Sequence, residues 1–199
     1  EDAKLLTGGG DFIDDDNAHG QLHGFMVRSP HAHADVVSVD VAAALDAPGV
    51  VAVYSGRDYK DAGWGTIPHI GPPVKRRGGA DIIFPDFWPV AVDRVRMVGE
   101  GVAFVVAETA AQARDASELV SVDYAPLPAS ADTASALDDD AFILWEDIGN
   151  NEALVHEIGD KATADSAFGA AEHIVEQRFN ISRVLGNAME MRGCLAIYD

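Results

Sequence analysis

The stretch RVRMVGEGVAFVVAETAAQARDASELVSVDY, from Arg94 to Tyr124, predicts a strand, a helix and a second strand. Gly101 to Ala107 is an unbroken apolar run, which is typical of a strand covered on both faces. Thr109 and Gln112 form a T-x-x-Q capping box, so a helix is predicted to begin there. Its alanines recur at helical spacing and predict a stripe of small side chains against a sheet. The alternation from Val120 to Tyr124 predicts a half-buried strand.

A second unit of the same plan lies nearer the amino terminus. Ala34 to Val41 alternates, and its valines at 37, 39 and 41 are predicted to share one face. A short helix through Ala42 to Leu45 and an apolar strand from Val50 to Tyr54 follow it. With the strand-like Leu22 to Arg28, the two units predict an α+β fold in which one mixed sheet carries packed helices.

Composition limits the classes of partner. The 199 residues carry a net charge of −19, which argues against nucleic acid and against an anionic membrane surface. Cys194 is the single cysteine, and no targeting or membrane-spanning run is present. We therefore expect a soluble, cytoplasmic protein whose partners are small molecules or proteins. The first residue is Glu1 rather than Met, and we expect the sequence to be part of a longer chain.

Two metal hypotheses fail on spacing. The acid cluster from Asp11 to Asp16 resembles a calcium loop, but His19 and Met26 stand where such a loop needs oxygen ligands. Four histidines also lie close together, yet no Cys or carboxylate completes a tetrahedral set. We expect them to make loop and surface hydrogen bonds; they are His19, His23, His31 and His33.

Regular structure is predicted to end between Asp61 and Pro89, a long loop rich in proline. It carries the cations Lys75-Arg76-Arg77 together with four aromatic residues, Trp64, Phe84, Phe87 and Trp88. One interpretation is a docking arm with a basic tip and aromatic anchors. The other is a solvated tip whose aromatic residues pack back on the domain, and the charges alone favour it.

The carboxy-terminal third begins with a connector, Ala125 to Ala141, that has no periodicity. Beyond it, Ala153 to Ile158, Thr163 to Ala171 and His173 to Ile181 predict a further strand, helix and strand. Cys194 to Tyr198 predicts one more apolar strand.

Glu190 and Arg192 stand two residues apart beside Gly193. Residues at this spacing face the same side of an extended segment, so the carboxylate and the guanidinium could line one pocket. Alternatively they pair with each other or with neighbours as a structural bridge, which the local sequence by itself favours.

Four strings, taken together, closely resemble the molybdenum hydroxylases, the family of xanthine dehydrogenase, aldehyde oxidase and aerobic carbon monoxide dehydrogenase. They are LLTGGGDFIDD, FMVRSPHAHADVVSVDVAAALDAPGVVAVYSGRD, VRMVGEGVAFVVAETAAQARDASELVSVDYAPLPA and RFNISRVLGNAMEMRGCLAIYD. The match is to the amino-terminal part of the molybdopterin-binding large subunit. It implies an α/β-hammerhead domain over residues 1–129, a linker over 130–141, and the truncated start of a molybdopterin-binding domain over 142–199.

The resemblance also implies an activity. These enzymes hydroxylate a heterocycle or an aldehyde with oxygen from water, at molybdenum held by molybdopterin, here expected in its cytosine dinucleotide form. Electrons leave through iron–sulfur and FAD-binding subunits, which would be partners together with the remainder of the large subunit. The family's cofactor-holding segments lie downstream of Asp199, so we expect this part alone to bind no cofactor and to be inactive. The alternative is a stand-alone hammerhead interaction module without catalysis.

The resemblance assigns one site. Glu190 matches a glutamate that lies in the substrate pocket of the family's purine-hydroxylating members, where a carboxylate can hydrogen-bond the substrate and stabilise developing charge. Arg192 matches the following arginine of the E-P-R-G motif of bacterial members and is a second possible pocket residue. Three positions depart from the family pattern, namely Gly9, Gly101 and Met191, of which Met191 replaces the proline beside Glu190.

Overall fold

The computed structural model describes residues 2–69, 71, 74–181, 185–186, 188, 190 and 192–198. They fall into two compact units, Leu22–Glu157 and the combination of Glu1–Gln21 with Ile158–Asp199. In chain order the helices and strands are α1 (Asp2–Leu6), β1 (His23–Arg28), β2 (Ala34–Asp40), α2 (Ala42–Leu45), β3 (Val50–Ser55), α3 (Gly56–Asp61), β4 (Arg94–Val95), β5 (Gly101–Ala107), α4 (Ala110–Ser117), β6 (Ser121–Pro126) and α5 (Lys161–Ala170).

The larger unit is built on two three-stranded sheets, with strand orders β1-β5-β3 and β4-β2-β6. All strand pairs are antiparallel. The α+β class is confirmed, but the strands form two antiparallel sheets where the sequence predicted one mixed sheet. The reason lies in β5: Val102 belongs to one buried cluster, and Val105 and Ala107 belong to the other. A strand that is apolar on both faces needs cover on both, and a second sheet supplies part of it.

The two cores differ in what closes them. One lies between the β1-β5-β3 sheet and the helices α2 and α4, whose Ala44, Ala113 and Ala116 are buried. The other joins Ala34, Val36, Ala91, Val95 and Val102. The alanine stripe of α4 is thus confirmed at positions 113 and 116, while Ala110 is exposed. Small side chains let the helix backbone approach the sheet closely.

The start of α4 agrees with the predicted cap in one of its two bonds. The Gln112 N–H donates to Thr109 Oγ1 at 3.2 Å, as an N-cap requires. The Gln112 side chain accepts a hydrogen bond from the Thr109 hydroxyl at 2.8 Å, instead of reaching back to the Thr109 N–H.

Two local features of the larger unit differ from the sequence prediction. The pairing of β2 with β6 shifts between Val36 and Ser38, so Val37 is a bulge residue and is 58% exposed. The extra residue shifts the alternation of side chains between the two faces of β2. Val37 therefore does not lie on the face that it was predicted to share with Val39 and Val41. Helix α3 was not predicted, although Ser55 and Asp58 form a complete capping box at its start.

Three predicted strands of the carboxy-terminal third are wrong within the described residues. His173–Ile181 and the described part of Cys194–Tyr198 form no strand. Ala153–Ile158 contributes a single bridge, between Val155 and Lys75. The predicted helix is confirmed as α5. A strand needs a neighbour for its N–H and C=O groups, and the described residues provide none for these segments.

Candidate functional site

Glu190 lies in a bend and is solvent-exposed. Its Oε1 accepts a hydrogen bond from the backbone N–H of Ile13 at 3.2 Å. Ile13 opens a short 3₁₀ turn, Ile13–Asp15, whose entry is held by two bonds. The Phe12 N–H donates to Asp15 Oδ2 at 2.9 Å, and the Asp15 N–H donates to the Phe12 carbonyl at 2.8 Å. The turn therefore holds the Ile13 N–H in place for the carboxylate.

Gly193 packs closely against the same turn. A Cβ added to Gly193 would lie 3.1 Å from Ile13 Cγ2 and 3.8 Å from Asp14 Oδ1. Arg192 is exposed, and among the residues that the structure describes no ion pair joins it to Glu190. Met191 lies outside the described residues. The described residues therefore do not support the interpretation that Glu190 and Arg192 form an ion pair with each other.

The arrangement suits Glu190 to recognition by hydrogen bonding. Within the described part of the chain, the Ile13 N–H is the hydrogen-bond donor to this carboxylate, and it engages one of two oxygens. A carboxylate has acceptor capacity for several donors, so a ligand N–H or a developing positive charge can be held by the other oxygen. Sequence reasoning missed Ile13, because its role is played by a backbone N–H 177 residues away.

The structure shows contacts for two of the four clustered histidines, His31 and His33. His33 is buried, and its Nδ1 lies 2.7 Å from the Pro128 carbonyl, with the ring stacked on Phe142. The His31 ring lies 4.8 Å from the Tyr124 ring. Across the described ranges, no three His, Cys, Asp or Glu side chains come together as a possible metal site.

The basic loop folds back on its own unit. Lys75 pairs with Asp81, and the Arg76 guanidinium donates to Asn150 Oδ1 at 2.9 Å. The Lys75 ammonium holds the pKa of Asp81 below its usual value. Two aromatic residues of the loop, Trp64 and Trp88, contact the ring of Tyr59, although Trp64 remains 53% exposed. These contacts favour the solvated tip over the docking arm.

Residues 136–151, which we call the Asn151 loop, are organised by one side chain. Asn151 Nδ2 donates to the carbonyls of Ala136 and Phe142 at 2.9 and 2.8 Å. Its Oδ1 accepts from the Leu144 N–H at 2.9 Å. One asparagine therefore ties three points of a loop for which the sequence predicted no structure.

Two arginines of the β4 region hold the Asn151 loop. Arg94 donates to Asp35 at 2.5 Å and to Glu146 at 3.1 Å, and the bond with Asp35 is the main cause that raises its pKa above the usual value. The Arg96 guanidinium lies 3.8 Å from the ring centre of Trp145, and burial lowers the pKa of Arg96. Charge pairing and stacking thus attach this loop to the sheets of the larger unit.

Comparison with known proteins shows that the chain is similar to a family of oxidoreductases. Residues 7–128 match the family described as aldehyde oxidase and xanthine dehydrogenase, a/b hammerhead domain. The carbon monoxide dehydrogenase large chain of Afipia carboxidovorans is 35% identical over 211 residues, which cover 100% of this chain and 25% of that protein. The nicotine 6-hydroxylase large subunit of Paenarthrobacter nicotinovorans is 37% identical and is covered to 23%, again over 100% of this chain.

Solved structures agree with these matches. A Cu,Mo-CO dehydrogenase superposes with a TM-score of 0.67 at 34% identity, over 86% of this chain and 22% of that one. Quinoline 2-oxidoreductase from Pseudomonas putida 86 gives a TM-score of 0.60 at 38% identity, over 70% of this chain and 17% of that one. The chain thus spans about a quarter of the length of the curated relatives it matches.

None of the helices in the described ranges combines the length and the apolar character needed to cross a bilayer.

Proposed function

Because the chain belongs to the aldehyde oxidase and xanthine dehydrogenase family, we propose that it is the amino-terminal part of the large subunit of a molybdenum-dependent hydroxylase. The whole protein would oxidise a heterocycle or an aldehyde with oxygen derived from water. The observation that carries the proposal is the match over the full chain to large subunits of named oxidoreductases, which includes the segment around Glu190. Two of the similar proteins are named for heterocyclic compounds, nicotine and quinoline.

In this proposal Glu190 is the pocket carboxylate. Its exposure and its single backbone bond to Ile13 support the role, because the side chain is oriented without being neutralised by a described cation. A substrate N–H would donate to the carboxylate, and positive charge that develops on the ring would be stabilised by it. Arg192 would line the same pocket with its exposed guanidinium and hold a substrate carbonyl or an anionic ring oxygen.

The cofactor is assigned to the whole subunit and not to these residues. We expect molybdenum held by molybdopterin in its cytosine dinucleotide form, with iron–sulfur clusters and FAD on partner subunits. Within the described residues no three His, Cys, Asp or Glu side chains lie together, and none of them is assigned to hold this group. The domain bounds proposed from the resemblance remain 1–129, 130–141 and 142–199.

The test uses the complete large subunit, produced from its gene together with its partner subunits. We expect bound molybdenum and oxidation of heterocycles or aldehydes in a dye-coupled assay. A preparation that holds no molybdenum and oxidises neither substrate class would instead support the stand-alone interaction module.

The Glu190→Gln variant tests the site within that enzyme. The amide oxygen of Gln can still accept from the Ile13 N–H, so we expect the free energy of unfolding to stay within about 0.5 kcal/mol of the wild-type value. Loss of the negative charge should lower kcat/KM by about 100-fold, the scale of one charge-stabilising contact. Glu176→Gln, at another exposed glutamate, is the matched control and should leave kcat/KM unchanged. Equal kinetics for the two variants would remove the role of Glu190.

A further inference from the structure

Helix α5 and the segment that follows it expose an apolar surface. None of the ten residues of α5 is buried, and Phe168 is 60% exposed. A groove of about 290 Å³ runs along its apolar side, lined by Ala164, Ala167, Phe168, Ala171, His173, Ile174 and Val175. An isolated helix of fewer than about 12 residues is marginal in water, so α5 needs a packing partner.

The segment His173–Ile181 extends this surface. Its odd positions include Val175, Phe179 and Ile181, which are 91, 76 and 88% exposed. Its even positions include Glu176 and Asn180. In an extended segment the odd and even positions face opposite sides, so three of the four large apolar side chains share one face with His173 and Gln177, while Ile174 lies on the other face with Glu176, Arg178 and Asn180.

The pattern is that of a half-buried strand, yet its described neighbours offer no strand to pair with. Both requirements of a strand are therefore unmet, because the backbone groups lack ladder partners and the apolar face lacks cover. A single added element can meet both, if it is a strand belonging to a sheet with an apolar layer beneath it.

We propose that His173–Ile181 is a strand completed by a strand from the remainder of the same large subunit, with Val175, Phe179 and Ile181 facing its core. This inference rests on the proposed function, which makes the chain part of a longer subunit. It is supported by length, since the relatives align with the whole of this chain and are about four times as long. A second copy of the chain is a poor occupant, because each copy carries a net charge of −19 and repels the other.

The first experiment is hydrogen exchange on the complete large subunit, without any substitution. We expect at least every second amide of His173–Ile181 to exchange about 100-fold more slowly than in an unstructured peptide of this sequence. Exchange at the peptide rate would overturn the inference. Protection that is lost on dilution, or that appears only when an iron–sulfur or flavin subunit is added, would assign the surface to another occupant and would also overturn it.

The second experiment places the same charge on opposite faces of the segment. Phe179→Asp puts a carboxylate on the apolar face and should abolish the protection or the soluble yield of the subunit. Asn180→Asp puts it on the polar face next to it and should change neither. Equal effects of the two substitutions would contradict the proposed orientation, and the exchange measurement on the unsubstituted subunit remains decisive if Phe179→Asp does not fold.

Molybdenum content and turnover, measured on the same preparation, separate this inference from the proposed function. A protected segment in a subunit without molybdenum or activity leaves the strand in place while the proposed function fails. An unprotected segment in an active, molybdenum-loaded enzyme refutes the strand alone.

Discussion

Replacing Asn151 by Ala should loosen the internal structure of the Asn151 loop, whose attachment through Arg94 and Arg96 would remain. The substitution removes three hydrogen bonds of 2.8 to 2.9 Å around a partly buried side chain. It leaves the carbonyls of Ala136 and Phe142 and the Leu144 N–H without this partner. At about 1 kcal/mol for each bond, the free energy of opening the loop should fall by roughly 2–3 kcal/mol.

Hydrogen exchange at the Ile148 amide measures this opening, because its bond to the Trp145 carbonyl does not involve Asn151. A fall of 2–3 kcal/mol corresponds to exchange that is about 30- to 150-fold faster. Asn150→Ala is the matched control: Asn150 is exposed, and its Oδ1 accepts from Arg76 and from the Glu152 N–H, bonds that water can replace. It should accelerate exchange less than about fivefold. Equal acceleration by the two alanines would refute the assignment of Asn151 as the residue that organises the loop.

Two further predictions concern the start of α3. Gly56→Ala should lower the free energy of unfolding in urea by about 3 kcal/mol, because its Cβ would lie 2.0 Å from the Ala91 carbonyl oxygen, whereas Gly65→Ala meets nothing and should change it by less than about 0.5 kcal/mol. Asp58→Asn should cost about 1 kcal/mol near pH 6, and this difference should shrink as the pH falls below about 4. The sign follows from the hydrogen bonds with Ser55, which lower the pKa of Asp58 in the folded state, so its stabilisation is present above the unfolded pKa and is lost as the pH falls through the folded one. A difference that persists unchanged at pH 2.5 would contradict this account.

Local signals were sufficient for the centre of the fold. The apolar run of β5, the Thr109 cap and the alternation of β6 all act over a few residues, and each was found near its predicted place. The Ser55 and Asp58 capping box at the start of α3 is a signal of the same kind, since its two residues lie three apart in the sequence. Patterns with a short range are therefore readable wherever both partners of an interaction are close in sequence.

Long-range features could not be predicted in this way. The bulge at Val37 depends on how β2 aligns with β6, which lies more than eighty residues further on. The alternation of His173–Ile181 predicts a strand that the described residues do not form, because a pattern reports only what a segment would bury if a partner were present. Whether a strand forms is decided by its neighbours.

The contacts around Glu190 bear on the choice between an oxidoreductase subunit and an interaction module. The Ile13 N–H donates to the Glu190 carboxylate, and the Ile13 side chain packs closely against Gly193. The carboxylate and the glycine therefore both contact one residue. A Cβ at position 193 would lie 3.1 Å from Ile13 Cγ2, so the Ile13 side chain would have to shift by a few tenths of an ångström. A docking surface has no need to orient one exposed carboxylate through a backbone N–H, because exposed charges on such surfaces contribute little when they are held. A pocket that must place a carboxylate against a substrate does need it, since orientation of that group is what it contributes to catalysis. An oriented carboxylate is therefore what the proposed role of Glu190 requires.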